Sequence, residues 1–385
     1  MLSGRRIAGL CALACATLML VLVSVASADV PIEERRIGFD GRERAYFVGV
    51  PEGFEPGNPA IVVLHGGSLS MRRILEPTAA PAAWLDVAER FGLVLLVPNG
   101  FNPVNEDGTG DRQSWNDLRP PGDAPISRED DAGFISAMVA REQARLGFDA
   151  RSVAVTGASN GGMMAYRMVV ERPDQFAAAA AFIANLPEAD IPDPVEPRPV
   201  VIINGDADPL MPWFGGLVGR AGAPVRSAGA TVQYWRRVHG ILDGEITATA
   251  LPDIDPDDGT RVVRFEYLDR DGGQAPVVLY RVAGGGHSMP VFADDPQVPL
   301  PPSLGARCHD FRGVDAAWEF FRSRLPATPP CPADLDGDGE LTLFDFLEFQ
   351  NLFDAGDPSA DLDFDGELTL FDFLAFQNAF DIGCL

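Results

Sequence analysis

Beyond residue 28 the chain has three cysteines, and four histidines serve its 385 residues. With so few thiols, at most one disulfide can close within the chain and one cysteine is left over. With so few imidazoles, any chemistry that needs a histidine base has four candidates: His65, His239, His287 and His309. After residue 28 no run approaches the roughly 20 apolar residues that a helix needs to span a bilayer. Basic charge is short as well, since 30 Lys and Arg face 56 Asp and Glu for a formal net charge of −26. That balance argues against nucleic acid or an anionic membrane as partner, because both reward a basic surface.

What is present reads as globular: 46% hydrophobic and 22% charged residues, over a length that suits one large domain and something smaller. The N-terminus carries Arg5 and Arg6, then "IAGLCALACATLMLVLVSV", then "ASA" at 26–28. A basic start, an apolar middle and a small-residue cleavage site predict a signal peptide over 1–28, the alternative being an uncleaved anchor. Cys11 and Cys15 leave with it. A secreted chain then holds Cys308, Cys331 and Cys384 in a compartment that permits disulfides. Acidity is uneven: residues 331–385 contain fourteen Asp or Glu and no Lys or Arg, so they supply −14 and the rest of the chain −12. "LPATPP", with three prolines, marks the boundary as a stiff linker would. The expected organisation is a large domain over 29–324, a linker over 325–330 and a small module over 331–385.

Within the large domain, "AIVVLHG" (60–66), "GLVLLVP" (92–98), "SVAVTG" (152–157) and "PVVIING" (199–205) are continuous apolar runs, as strands buried on both faces are. Between them, "AAPAAWLDVAERFG", "DAGFISAMVAREQARLG" and "NGGMMAYRMVVERP" have helical periodicity and end near Gly or Pro. The alternation predicts an α/β domain with a mostly parallel sheet flanked by helices. One junction stands out. Gly157-Ala158-Ser159-Asn160-Gly161 joins a strand to a helix, the GxSxG pattern of a nucleophile elbow that lifts a serine hydroxyl clear of the sheet.

A seryl nucleophile needs a base, and the base needs an acid to hold its tautomer. His287 follows the strand-like "PVVLYRV" on the glycine-rich loop "VAGGGHSMP", whereas the other three histidines suit structural positions. For the acid, "VVIINGDADPLMP" offers Asp206 and Asp208 just beyond a strand, and local logic leaves both open. Either gives the Ser, Asp, His order of α/β-hydrolases. Oxyanion donors are expected from the backbone N–H of Gly67 or Ser68 in "LHGGSLS" and of Asn160.

The motifs "VVLHGG", "DDAGFI", "VAVTGASNGGMMAYRM", "INGDADPLMPWFGG", "LPDIDPDDGTRV" and "GGGHSMP" together resemble the polyhydroxybutyrate depolymerase and feruloyl esterase group of secreted α/β-hydrolases, over roughly residues 37–325. The resemblance implies an α/β-hydrolase fold, Ser159 as nucleophile, Asp208 of the "DP" pair as acid and His287 as base, with no cofactor for catalysis. It implies carboxylic esters as substrates: hydroxyalkanoate oligomers, or feruloyl or acetyl esters of plant polysaccharides. Members often have Trp where this chain has Met289 and Tyr where it has Trp213, and many carry cysteine pairs absent here. Trp115 in "SWNDL" is a candidate aromatic wall or a core residue. A peptidase on the same scaffold and a non-catalytic binding module are the competing readings.

The acidic module repeats itself at an offset of 27 residues, "DLDGDGELTLFDFLEFQNLFDAG" and then "DLDFDGELTLFDFLAFQNAFDIG". Each begins a twelve-residue loop with Asp at positions 1, 3, 5 and 12 and Gly at 6, which is oxygen-rich calcium spacing. The expected ligands are Asp334, Asp336, Asp338, Asp345 and the Glu340 carbonyl for one Ca²⁺, and Asp361, Asp363, Asp365, Asp372 and the Glu367 carbonyl for the second. A disulfide between Cys331 and Cys384 would staple the two ends, leaving Cys308 free. The repeat resembles a type I dockerin, in which each loop leads into one helix. Dockerins read cohesin partners through loop positions 10 and 11, often with Ser or Thr; here these are Leu343-Phe344 and Leu370-Phe371. The resemblance implies a cohesin-like or cell-surface protein as partner.

Overall fold

The continuous Val, Ile and Leu runs become the centre of a ten-stranded sheet in a computed structural model that describes residues 30–120, 125–219, 222–268, 274–325, 333, 335, 342–362 and 368–382. In chain order the elements are β1 (Ile32–Phe39), β2 (Arg42–Gly49), β3 (Ala60–Leu64), α1 (Met71–Ile74), α2 (Ala83–Phe91), β4 (Val94–Pro98), α3 (Asp131–Leu146), β5 (Val153–Ala158), α4 (Asn160–Glu171), β6 (Ala178–Phe182) and β7 (Val200–Gly205). A two-residue pair follows, β8 (Gly216–Leu217) and β9 (Pro224–Val225), then α5 (Ala228–Val238), β10 (Ile246–Ala250), β11 (Arg261–Tyr267), β12 (Val277–Ala283) and α6 (Gly313–Arg322). Two further helices, α7 (Leu343–Ala355) and α8 (Leu370–Ile382), belong to the acidic repeat.

The sheet runs β1-β2-β4-β3-β5-β6-β7-β12-β11-β10. From β4 to β12 neighbouring strands are parallel, and antiparallel strands extend both edges. Alternation of side chains about each strand divides the core in two. Val62, Leu96, Val155 and Ile202 face α3, α4 and α5, while Ile61, Val63, Leu95 and Val201 face α2 and α6. Trp84 on α2 stacks on Phe321 of α6 with ring centroids 6.2 Å apart, and burial of side chains this large is worth about 1.5–3 kcal/mol each. Helices on both faces of a largely parallel sheet, with this strand order, make an α/β-hydrolase fold.

The "DDAGFI" segment has a structural task. Asp130 caps α3 by accepting the Gly133 N–H at 2.9 Å. Asp131 is fully buried and binds Arg44 of β2 at 2.7 Å and the Asn116 N–H at 2.8 Å, tying the loop before α3 to the sheet. Cys308 is a free, buried thiol, and burial pushes its pKa up to about 11.

In the acidic repeat, Phe349 of α7 stacks on Phe376 of α8 at 4.8 Å, with Ala333 and Ala360 in the same small core. The two halves are built alike. Asp345 accepts the N–H groups of Leu335 and Thr342 at 2.9 and 2.8 Å, and Asp372 accepts those of Leu362 and Thr369 at 2.9 and 2.7 Å. The signal segment 1–28, Cys331, Cys384, Asp334, Asp336, Asp338, Glu340, Asp363, Asp365, Glu367 and all but the first residue of the 325–330 linker lie outside the described residues.

Candidate active site

Ser159 sits between the end of β5 and the first turn of α4 with φ 56° and ψ −120°, a conformation that costs a non-glycine residue about 1–3 kcal/mol. The surroundings hold it there. Its N–H donates to Phe182 O of β6 at 2.9 Å, and its carbonyl accepts the Met163 N–H of α4 at 3.0 Å. The two flanking glycines are obligatory for a visible reason: a Cβ on Gly157 would lie 2.5 Å from the Gly161 backbone, and one on Gly161 2.4 Å from His65 O. Helix α4 therefore presses directly on the ends of β3 and β5, and only a bare backbone fits between them.

His287 and Asp208 meet across two loops. His287 Nδ1–H donates to Asp208 Oδ2 at 2.7 Å, while Asp208 Oδ1 accepts the Leu210 and Met211 N–H groups at 2.7 and 2.8 Å. The carboxylate is thereby fixed on both oxygens, with 1% of its side chain exposed against 11% for His287. Neighbouring glycines let the loops pack backbone to backbone. A Cβ on Gly205 would lie 2.2 Å from Gly285 O, and one on Gly286 2.1 Å from Leu304 O. The Gly286 N–H donates to Ala306 O at 2.8 Å and the His287 N–H to Leu304 O at 2.6 Å.

Asp206, the other aspartate left open by local logic, faces elsewhere. Its Oδ2 takes two bonds from Arg281 at 2.8 and 2.7 Å and its Oδ1 the Gly284 N–H at 2.8 Å, so it braces the start of the histidine loop. Among the described residues the Ser159 hydroxyl makes no hydrogen bond within 3.5 Å, to His287 or to any other group.

On the other side of Ser159 lies the "LHGG" loop. A Cβ at Gly66 would stand 3.8 Å from Ser159 Cβ, and one at Gly67 3.5 Å from Asn160 Cβ, so these loops are in contact. Ser68 spends its N–H on Gln113 O at 2.7 Å, which removes it from the pair of oxyanion candidates named above. Among the described residues the N–H groups of Gly67 and Asn160 have no acceptor, the condition an incoming oxyanion requires.

The remaining histidines are bound to backbone. His65 is fully buried, donates from Nδ1 to Gly66 O at 2.8 Å and accepts the Gly100 N–H on Nε2 at 2.9 Å. Burial lowers its pKa to about 4, so it is a neutral strut for the glycine loop. His239 contacts Arg198 O at 3.1 Å, burial lowering its pKa, and His309 contacts Val291 O at 2.9 Å.

Trp115 is core and not a pocket wall: it is fully buried, its ring lies 4.7 Å from that of His65, and its indole N–H donates to His65 O at 2.8 Å. Met289 is buried too, whereas Trp213 is half-buried with the Arg281 guanidinium 5.5 Å above its ring. The sequence reading passed over the Asn160 side chain. Its Oδ1 accepts the Trp115 N–H at 2.7 Å, and its Nδ2 donates to Trp115 O at 3.0 Å and to Asp117 Oδ2 at 2.6 Å. Asp117 is itself buried and paired with Arg119 at 2.8 Å. The signal was available in "SWNDLR", where two charges follow a tryptophan in a loop, but nothing local joins that loop to a residue 45 positions away.

No protein-family model matches the chain. It is 32% identical over 310 residues to "Putative esterase NocK" of Nocardia uniformis subsp. tsuyamanensis, across 76% of this chain and 83% of that protein. Among solved structures, an S-formylglutathione hydrolase from Agrobacterium tumefaciens aligns with 78% of this chain and 98% of its own, with a TM-score of 0.48 and 14% identity. An acetyl xylan esterase from Aspergillus awamori aligns with 75% and 99%, with a TM-score of 0.47 and 16% identity.

Proposed function

Because this chain belongs to the esterase family that includes the Nocardia protein, we propose that it hydrolyses carboxylic esters with Ser159 as nucleophile, His287 as base and Asp208 as the orienting acid. The observation that carries this reading is the His287–Asp208 bond of 2.7 Å, on the loops that follow the adjacent strands β7 and β12, in a sheet whose strand β5, separated from β7 by β6, leads into Ser159 in a strained turn. Ser159 Oγ attacks the ester carbonyl carbon as His287 Nε2 takes its proton. The oxygen that gathers negative charge lies toward the Gly67 and Asn160 N–H groups. Collapse expels the alcohol, which receives the proton from His287, and water then releases the acid from the acyl-serine by the same route. Asp208, bound on both oxygens, keeps Nδ1 protonated throughout.

The acyl group is a hydroxyalkanoate, ferulate or acetate, following the motif resemblance in "INGDADPLMPWFGG" and "GGGHSMP". A hydrolysis screen of the purified protein against short-chain polyhydroxybutyrate, methyl ferulate and acetylated xylan, with Ser159→Ala as blank, tests it. Turnover of none of them, or turnover that survives in Ser159→Ala, sinks the reading.

The chain is exported through residues 1–28, and its acidic repeat binds two calcium ions. The donor set fits: oxygen ligands alone, two buried position-12 carboxylates that tie the ends of their loops together, and no Lys or Arg over 331–385. Each repeat also exposes an apolar pair, Leu343-Phe344 at 68% and 68% and Leu370-Phe371 at 68% and 64%, the surface offered to a scaffold or cell-surface protein.

A further inference from the structure

Behind the loop that carries His287, three potential metal ligands from two segments of chain converge. Cys308 Sγ and one carboxylate oxygen each from Asp258 and Asp310 lie within 4.8 Å of one another. Cys308 and Asp310 are almost completely buried, at 2% and 3% exposure, and Thr260 beside them is fully buried. Most of the polar atoms are accounted for. Asp310 Oδ1 accepts the Ile254 and Asp255 N–H groups at 2.7 and 3.2 Å, and Asp258 accepts those of Thr260 and His309 at 2.6 and 2.7 Å. One is not: among the described residues Asp310 Oδ2 is buried without any hydrogen-bond partner. A buried carboxylate oxygen left bare is unfavourable, because a charge that has left water needs a partner.

We propose that Asp258, Cys308 and Asp310 form a structural site for one borderline divalent transition ion, Zn²⁺, with the Thr260 hydroxyl as the fourth ligand. The sulfur selects the class of ion. Calcium and magnesium take oxygen ligands, whereas zinc binds thiolate and carboxylate together in a closed four-coordinate site. Binding releases the thiol proton to solvent, and the ion then supplies the positive charge that Asp310 Oδ2 and the thiolate both lack. The site also has a mechanical consequence. Cys308 O accepts the Val291 N–H at 3.2 Å, and Cys308 lines the narrow space beneath Gly285, Gly286 and Ser288. An ion here would clamp the 254–260 loop to the segment that supports the histidine loop.

The test uses the full chain, stripped of metal under reducing conditions and held in excess Ca²⁺ so that the acidic repeat is saturated. Co²⁺, the spectroscopic stand-in for Zn²⁺, should bind at one equivalent with a thiolate-to-metal charge-transfer absorption that Zn²⁺ displaces. Zn²⁺ should raise Tm. Cys308→Ser should lose both signals, and Asp310→Asn, which keeps the thiol, should weaken Zn²⁺ binding by about 10–100-fold or more, the effect of losing even an outer partner. A wild-type protein with no such band, or a band that persists in Cys308→Ser, overturns the proposal. In either case the three residues would instead form a metal-free polar cluster. If Cys308→Ser does not fold, the Asp310→Asn titration decides alone: unchanged zinc affinity there overturns the site.

Discussion

Two aspartates two residues apart end the same strand, yet their geometry predicts different consequences of the same substitution. Asp208→Asn places an amide against His287 Nδ1 and favours the wrong tautomer, so kcat should fall by about 10⁴-fold, as in serine hydrolases generally. Asp206→Asn keeps an acceptor for Gly284 and loses an exposed pair with Arg281, so kcat should fall by less than about tenfold. Steady-state kinetics on one ester ranks them, and the reverse order would refute the assignment. Local sequence left this choice open because it turns on which carboxylate reaches a loop 79 residues away. His65 makes a second case at this scale. Its folded pKa of about 4 lies below the unfolded value of roughly 6.5, so the neutral buried form stabilises the fold above 6.5, and that stability is lost as pH falls toward 4. Urea denaturation at pH 7 and pH 5 should therefore show about 2 kcal/mol more acid sensitivity in the wild type than in His65→Gln. Equal slopes would mean the imidazole is not buried neutral.

The elements that build the site were legible in proportion to how much of their logic is local. The buried runs became β3, β4, β5 and β7 and the periodic stretches became α2, α3 and α4, because a strand buried on both faces and an amphipathic helix each announce themselves in a short window. The opening strand β1 and the β10–β11 edge carry mixed, half-exposed residues, and β6 is "AAAAF", so none has a pattern that separates it from a loop or helix. Glycine shows how context decides the worth of one residue. Gly161 and Gly229 each stand second in a helix, α4 and α5. An added Cβ would strike backbone at 2.4 Å in the first and meet nothing nearer than the Ser227 hydroxyl at 4.0 Å in the second. Gly161→Ala should therefore destabilise by about 1–3 kcal/mol and impair turnover, while Gly229→Ala should stabilise by about 0.4–1 kcal/mol. Thermal melts of the two variants check this, and a neutral Gly161→Ala would mean that α4 does not press on β3 as described.

For the molecule as a whole, the division into a large domain and an acidic module is plain in composition, because charge density and a proline cluster need no tertiary information. What composition cannot give is how the module tolerates fourteen carboxylates without a single Lys or Arg. Its core is small, centred on Phe349 and Phe376, and a core of this size supplies only a few kcal/mol, about 3–5 at most. Mutual repulsion among the loop carboxylates opposes that, so folding should depend on a cation that enters both loops and replaces repulsion with coordination. The isolated segment 331–385 should accordingly gain helical circular dichroism when Ca²⁺ is added and lose it with EDTA. Replacing both position-12 residues, Asp345→Ala with Asp372→Ala, should abolish the response, since each carboxylate also holds two N–H groups of its own loop. Asp334→Ala with Asp361→Ala should abolish it as well, since position 1 opens each loop with a direct ligand. Calorimetry of the full chain separates metal binding from helix formation. Heat of binding at two sites per chain, absent in the Asp345/Asp372 variant, is the expected result, and a wild-type segment already helical in EDTA, with no heat at millimolar calcium, would make the module a metal-free acidic repeat.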